Sequence, residues 1–350
     1  MFPYWSLFAI FAVGALTNRT GAAGRVHNWG MLVFAVVAMA LMVGLRFEVG
    51  PDWEPYLSIF KRWARSDLAT AIVHEDPGFY SMVWAVHRLK LGIWALNSFS
   101  AAVLAIGLIA FAKRQPNPWL AVAVAVPYLV IAVAMSATRQ SIAIGFILLA
   151  LAAFARQAPY RFIFWTSCAS LFHASAFLML LVASLSYTRN RTQSILLLCV
   201  VSVPAYFLLS GSFETYIERY SNVDIQSEGT IYRVLMNFFP AIFLLSNLTK
   251  FVPETYQKSL WRNLAVISVV CLPILLVVPS SSALDRISLY VIPLQILVLA
   301  RLPQVVAKDP NDIPLHTLAV LAYLALVMFV FFHFSNHAVY YVPYRLFPIF

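Results

Sequence analysis

Charged side chains are the scarcest material in this chain. They make up 11% of its 350 residues, while 62% are apolar and the mean hydropathy is +0.81; an ordinary soluble domain carries about 25% charge. A cytosolic enzyme is excluded, and no stretch is polar enough to fold as a separate soluble domain. Apolar runs long enough to cross a hydrocarbon core, roughly 17 to 25 residues each, recur throughout, so residues 1–350 read as one transmembrane domain. The runs are continuous and do not alternate in short pieces. Because every backbone polar group in lipid needs an internal partner, they are helices and not barrel strands. The expected fold class is all-α: a polytopic integral membrane protein of about 10–12 hydrophobic helices, some of them re-entrant.

Acidic residues are fewer still, 14 against 24 Lys and Arg, for a formal charge of +10. In a soluble protein that balance points to nucleic acid; here short basic cytoplasmic loops absorb it, and no nucleic acid partner is expected. The same residue types also hold anionic lipids or a lipid-linked phosphate. The three cysteines, Cys168, Cys199 and Cys271, lie inside apolar runs without metal-ligand spacing and read as small core residues. P-loop, HExxH, GxSxG and paired-His patterns are all missing, so a nucleotide-driven pump or a zinc protease has no support, and no cofactor or metal is expected. Energy for any reaction then comes from the substrate itself. The opening MFPYWSLFAIFAVGALT has no basic region ahead of its apolar run and reads as an uncleaved first helix.

The apolar runs lie at 2–17, 29–47, 77–91, 93–111, 118–136, 141–155, 162–186, 193–210, 231–249, 261–279, 286–302 and 315–334. Two connections are long: 48–76, which carries Trp53, Tyr56 and Trp63, and 212–230, which is acidic and tyrosine-bearing. Both are too aromatic for disorder, and connections of this length are usually functional. The small basic clusters, Arg19/Arg25, Lys113/Arg114, Arg156/Arg161, Arg189/Arg191, Lys250/Lys258/Arg262 and Arg301/Lys308, are assigned to the cytoplasm, which turns both long loops outward. An even number of spans separates these clusters everywhere except between Arg25 and Lys113, where two runs instead of one follow the outward loop that ends at Asp76, and between Arg161 and Arg189. Residues 77–91 therefore read as a short half-helix. The run 162–186 either turns back near Phe172-His173 or is one plain helix that breaks the charge bias.

Several polar groups sit where lipid makes them costly, on the order of 2.5–3.5 kcal/mol for a charge at mid-bilayer. Arg46 ends the second run, and Gly50-Pro51 turns the chain to bring Asp52 back beside it, as a functional pair or as a helix-end salt bridge. Thr138-Arg139-Gln140 separates two apolar runs with no loop-forming residues; Arg139 suits a phosphate or carboxylate held bidentately, or it snorkels to headgroups. His173 lies deep in an apolar run, as a general base, a hydrogen-bond donor or a satisfied core residue. Arg233, the Asp285-Arg286 pair (alternatively a local ion pair) and Tyr340, Tyr341, Tyr344 and Arg345 complete the set. The charge count sends all of them outward with Arg46, Asp52, Asp76 and Arg139, and His173 joins them if its run turns back.

RFEVGPDWEPY, TRQSIAIGFILLALAAF, ASLFHASAFLML, DRISLY and YVPYRLF occur here in one order. Together they resemble the EpsG family of bacterial membrane proteins, which belongs with the Wzy-type O-antigen and exopolysaccharide polymerases, and the likeness runs over nearly the whole chain. The family's Arg, Val-Gly and Asp-aromatic pattern falls on Arg46, Val49-Gly50, Asp52 and Trp53. Its Arg-Gln pair falls on Arg139 and Gln140, its Phe-His on Phe172 and His173, and its acidic residue before Pro-Gly-Phe on Asp76. Pro51 stands where the family often has a small polar residue.

The resemblance implies a bacterial inner-membrane glycosyltransferase with its site on the periplasmic face. It moves a growing glycan from one undecaprenyl diphosphate carrier onto the next lipid-linked repeat unit, so donor and acceptor are both undecaprenyl-diphosphate-linked oligosaccharides. The lipid bilayer, a chain-length regulator and a flippase are the other expected partners. Arg139 would stabilise the leaving diphosphate. A base would come from His173 or Asp52, with His173 favoured because the charge of Arg46 keeps Asp52 ionised and weakly basic. Arg46, Gln140, Trp53, Tyr56, Asp76, Arg233, Asp285, Arg286, Tyr344 and Arg345 would bind substrate. Two other classes stay in view: a membrane O-acyltransferase, which needs a cytoplasmic-side thioester tunnel, and a glycolipid transporter or flippase, which needs a path open to both sides.

Overall fold

A computed structural model describes residues 1–18, 29–187, 229–277 and 281–347. The run at 193–210, nearly all of the 212–230 connection, Cys199 and the Arg19/Arg25 and Arg189/Arg191 clusters lie outside these residues. Among the described residues the fold is all-α, with no strand and a single isolated bridge between Arg46 and Leu346. Among the described residues four helices are long and apolar enough to cross a membrane, and six shorter apolar helices join them.

The chain enters through α1 (Phe2–Thr17) and α2 (Trp29–Gly44), both apolar on all sides, as expected for helices that meet lipid or protein all round. The segment read as a connection at 48–76 is itself helical. It holds the amphipathic α3 (Trp53–Arg62), which buries Trp53, Tyr56 and Phe60 every third or fourth residue, and the short α4 (Leu68–Val73). The half-helix expected at 77–91 is α5 (Pro77–Arg88), whose 12 residues rise only about 18 Å, too little to span the core. α6 (Ile93–Ala112) then crosses fully, and α7 (Pro118–Ala125) runs into a widened π turn over Val126–Ala134. Pro127 within that turn cannot donate a backbone hydrogen bond, which is a physical cause for the local widening. The π turn delivers the chain to Ser136, just ahead of α8 (Thr138–Phe154).

α9 (Pro159–Phe172) stops at His173, whose φ of −156° and ψ of 113° are extended, and a short 3₁₀ turn over Ala174–Phe177 leads into α10 (Leu178–Tyr187). The chain reverses here. Ala155, just before α9, accepts from the Tyr256 hydroxyl at 2.6 Å, while Ser175 reaches Tyr290 at 3.4 Å. Ser186 then comes back to accept from Asn263, only seven residues beyond Tyr256. α11 (Thr230–Ser246), α12 (Thr255–Val277), α13 (Ser282–Val306) and α14 (Ile313–Phe334) complete the order.

α6 is clasped between α2 and α8, and α8 also packs on α9, while α11, α12 and α13 form a second group that meets the first through α7 and α10. Glycine permits the tightest crossing: a Cβ on Gly107 would stand 2.1 Å from the Gly145 carbonyl oxygen, and one on Gly145 would stand 2.8 Å from the Leu104 nitrogen. Lipid gives helices no hydrophobic reason to associate, so close backbone approach of this kind supplies the packing energy. The far end is fastened by Arg301, which donates to Gln115 at 2.9 Å and to the Phe251 and Arg114 carbonyls. Asn117 donates to the Ala15 carbonyl at the same end.

Gly107→Ala is expected to overpack the α6–α8 crossing by about 1–3 kcal/mol, while Gly30→Ala, with nothing within 4 Å of its added methyl, leaves the protein unchanged; thermal unfolding in detergent compares the two. The reversal at His173 is checked by impermeant labelling of single cysteines at positions 161 and 187 in a background without the native cysteines. Both are expected to label from the same face, and labelling from opposite faces would mean one straight span.

Candidate functional site

Asp76 caps the start of α5, immediately before Pro77, and is 2% exposed. One carboxylate oxygen accepts from Arg139 Nη1 at 2.7 Å and lies 3.6 Å from His173 Nδ1; the other accepts the Ala174 amide at 3.1 Å. This single acid thus gathers the start of α5, the first turn of α8 and the break between α9 and α10. Gly78 allows the approach, since a Cβ there would meet the Leu171 carbonyl oxygen at 2.9 Å. Burial pushes the Asp76 pKa upward, but His173, Arg139 and the Ala174 amide outweigh it and hold the carboxyl below its ordinary value.

Arg139 keeps about a quarter of its side chain exposed (26%), and its guanidinium lies 5.7 Å over the Phe79 ring. Its backbone amide donates to the Tyr56 hydroxyl at 3.2 Å, which fastens α3 to α8. His173 is 3% exposed. Its Nδ1 faces Asp76 beyond hydrogen-bond length, and its Nε2 faces the Gln140 side-chain amide at 3.5 Å. Asp52 stands beside this group, with one oxygen accepting from Ser136 at 2.7 Å. The turn that carries it depends on Gly50, whose φ of +98° suits glycine and whose missing Cβ would lie 2.0 Å from the Met135 carbonyl oxygen.

A second group adjoins through the Ser175–Tyr290 contact. Arg233 on α11 pairs with Asp285 in the first turn of α13 at 2.7 Å, and Asn237 donates to the Ser288 carbonyl at 2.9 Å. Arg286 acts electrostatically on His173. Residues 340–347 close the same end: Gly50 donates to the Tyr340 carbonyl at 2.8 Å, Phe47 to that of Arg345 at 3.0 Å, and Phe347 to that of Leu45 at 2.7 Å.

The family model of the EpsG family matches residues 29–346. The chain belongs to the EpsG family. Neither a curated protein nor a solved structure matches it. Membership makes this EpsG-family chain a membrane protein of polysaccharide biosynthesis and points to a glycosyltransferase-type enzyme.

The fold brings Arg46, Asp52, Tyr56, Asp76, Arg139, Gln140, His173, Arg233, Asp285, Arg286, Tyr344 and Arg345 to one end of the bundle, opposite the end fastened by Arg301. They are not equally available there. Arg46 and Asp76, expected among the substrate ligands, are each 2% exposed, and the hydrogen bonds they make go to protein groups, so they shape the site from behind. Of the aromatics on this side, Trp53 and Tyr344, expected among the substrate ligands, and Trp63 are all tied into the packing. Trp53 lies edge-on to Phe47, Tyr344 donates to the Met42 carbonyl at 2.7 Å, and Trp63 packs on Tyr80. Arg345 pairs with Glu48 at the surface. The sequence analysis passed over Ser136, which holds Asp52, and Asn97 and Ser100, which with Thr138 form a cluster next to Arg46. A lone asparagine within the apolar run 93–111 was the available signal for that cluster.

Replacing Asp76 by Asn removes the charge that Arg139 faces and sets an amide against donors. The variant is expected to lose about 1.5–3 kcal/mol, the range for hydrogen bonds to charged groups, and thermal unfolding measures it against Glu54→Gln on the exposed side of α3, which should melt as the wild type does.

Proposed function

We propose that this EpsG-family chain polymerises undecaprenyl-diphosphate-linked oligosaccharide repeat units on the periplasmic face of the bacterial inner membrane. The observation that carries the reading is the convergence of a partly exposed Arg139 and a buried His173 on one carboxylate, Asp76. The opposite end of the bundle bears Lys113, Arg156, Lys250 and Lys258 near its helix termini, and the bias of basic residues toward the cytoplasm supports turning the site outward.

The acceptor hydroxyl attacks the anomeric carbon of the donor glycan as the bond to the lipid diphosphate breaks. The hydroxyl proton passes to His173 Nε2, the ring nitrogen turned away from Asp76, which the acceptor reaches by displacing the Gln140 amide that faces it at 3.5 Å. Asp76 then stabilises the imidazolium as it forms, and a fixed acid beside a histidine also holds the ring in place. Arg139 faces the departing diphosphate, where a preorganised cation offsets developing negative charge without reorganisation. Gln140 orients the acceptor beside the ring, and Asp52, held by Ser136, offers its free oxygen to a sugar hydroxyl. The broken bond to diphosphate supplies the driving force, in keeping with a chain that carries no nucleotide-binding motif.

Purified protein given a lipid-diphosphate-linked repeat unit and no nucleotide sugar is expected to produce a ladder of longer glycans. Arg139→Lys should lower that activity at least about tenfold with insertion intact, because a point charge lacks the bidentate fork. Transfer of an acyl group, or movement of the glycolipid without elongation, would overturn the reading.

A further inference from the structure

Arg46 is a buried charge that the chemistry above leaves unused. Its Nη1 donates to the Val43 carbonyl at 2.8 Å, and Nη2 faces Asn97 Oδ1 and Thr138 Oγ1, both at 3.2 Å. All three acceptors are neutral. Its Nε has no hydrogen-bond partner, and among the described residues no carboxylate forms an ion pair with it. Asp52 acts on it electrostatically but gives one oxygen to Ser136. The Asn97 side-chain nitrogen and the Ser141 hydroxyl on the same elements are also buried without partners.

A cation buried without a counter-ion is costly, and a neutral or apolar side chain of similar volume commonly fills such a place at no loss of stability. Fastening α2 to α6 and α8 therefore does not account for the charge. Its position does. Thr138, which receives Nη2, directly precedes Arg139, and Arg46 is 2% exposed, so its N–H groups are out of reach of a ligand while its charge acts on Tyr56 and Asp52 beside Arg139. Low dielectric and shelter from salt keep such a field strong.

We infer that Arg46 is a positioning residue whose charge, bonded only to neutral groups and set behind the Thr138-Arg139 turn, draws the lipid diphosphate to Arg139 without touching it. The inference rests on the polymerase reading for the identity of the anion. It separates charge from scaffolding at Asn97, because Asn97→Asp keeps an acceptor facing Nη2 and puts a carboxylate directly against the guanidinium.

The test measures binding of undecaprenyl diphosphate to the purified full chain in detergent, beside KM and kcat for the lipid-linked repeat unit. Asn97→Asp is expected to weaken binding and raise KM about tenfold, roughly what one unit charge contributes over about 10 Å at an effective dielectric of about 20, with kcat and melting temperature maintained. Arg46→Gln should behave alike and Arg46→Lys should stay near wild type. Wild-type affinity in Asn97→Asp, or a fall in kcat with KM unchanged, overturns the inference; if Arg46→Gln does not fold, Asn97→Asp decides alone. A wild type that binds the diphosphate yet builds no glycan ladder overturns the polymerase reading and leaves the inference to the binding result.

Discussion

The carboxylate of Asp76 is held by three groups that the chain supplies from far apart: Arg139, 63 residues on, the Ala174 amide, 98 residues on, and the His173 ring next to it. An acid at the edge of a bilayer is stable as an anion only if such partners converge, and once they do, each of them is fixed as well. Arg139 is aimed, the break between α9 and α10 gains a partner for an amide outside the helical hydrogen bonds, and the imidazole has one nitrogen facing an anion. Loss of any one contact leaves a buried polar group exposed to a medium that cannot solvate it.

The reversal at His173 follows from the same constraint. A helix that ends inside a membrane protein frees carbonyls and amides that lipid cannot satisfy, so an irregular break is tolerated only where protein surrounds it. Here the Ala176 amide donates to the His173 carbonyl and the Ala174 amide to Asp76. The break that is costly in lipid is also what presents a histidine away from regular helix. The π turn over Val126–Ala134 serves a similar end on the neighbouring element, since it delivers Ser136 to Asp52 and Arg139 to Asp76 within one turn of chain.

Much of the fold was legible because hydrocarbon imposes so few solutions: run length and continuity alone lead to helices, and a clash between charge bias and span count marked Phe172-His173 as the place where 162–186 turns back if it is not one plain helix. Helices α3 and α4 were not legible, because in a polar, aromatic segment a ten-residue amphipathic period looks like a loop. For the site, the residue types that lipid penalises were visible singly, as in RFEVGPDW and TRQ. Which of them face a ligand was not. Arg46 and Arg139 look equivalent in sequence, yet one is shut behind Thr138 and the other keeps a quarter of its side chain open, a distinction made only by the packing of α2 against α6 and α8.

That packing depends in turn on residues 340–347. The Tyr4 hydroxyl donates to the Tyr341 carbonyl at 2.6 Å, Tyr341 donates to the Ala132 carbonyl at 3.0 Å inside the π turn, and Tyr344 donates to Met42 on α2. With the backbone pairing to residues 45–50, one short segment thus grips α1, α2, the Asp52 turn and the π turn together. Each contact joins positions more than two hundred residues apart, so ordering this segment closes very long loops, whose entropic cost grows only slowly with length. The turn bearing Asp52 and the π turn ahead of Arg139 are therefore locked by the same event, which couples the geometry of the acid beside the site to that of the arginine within it.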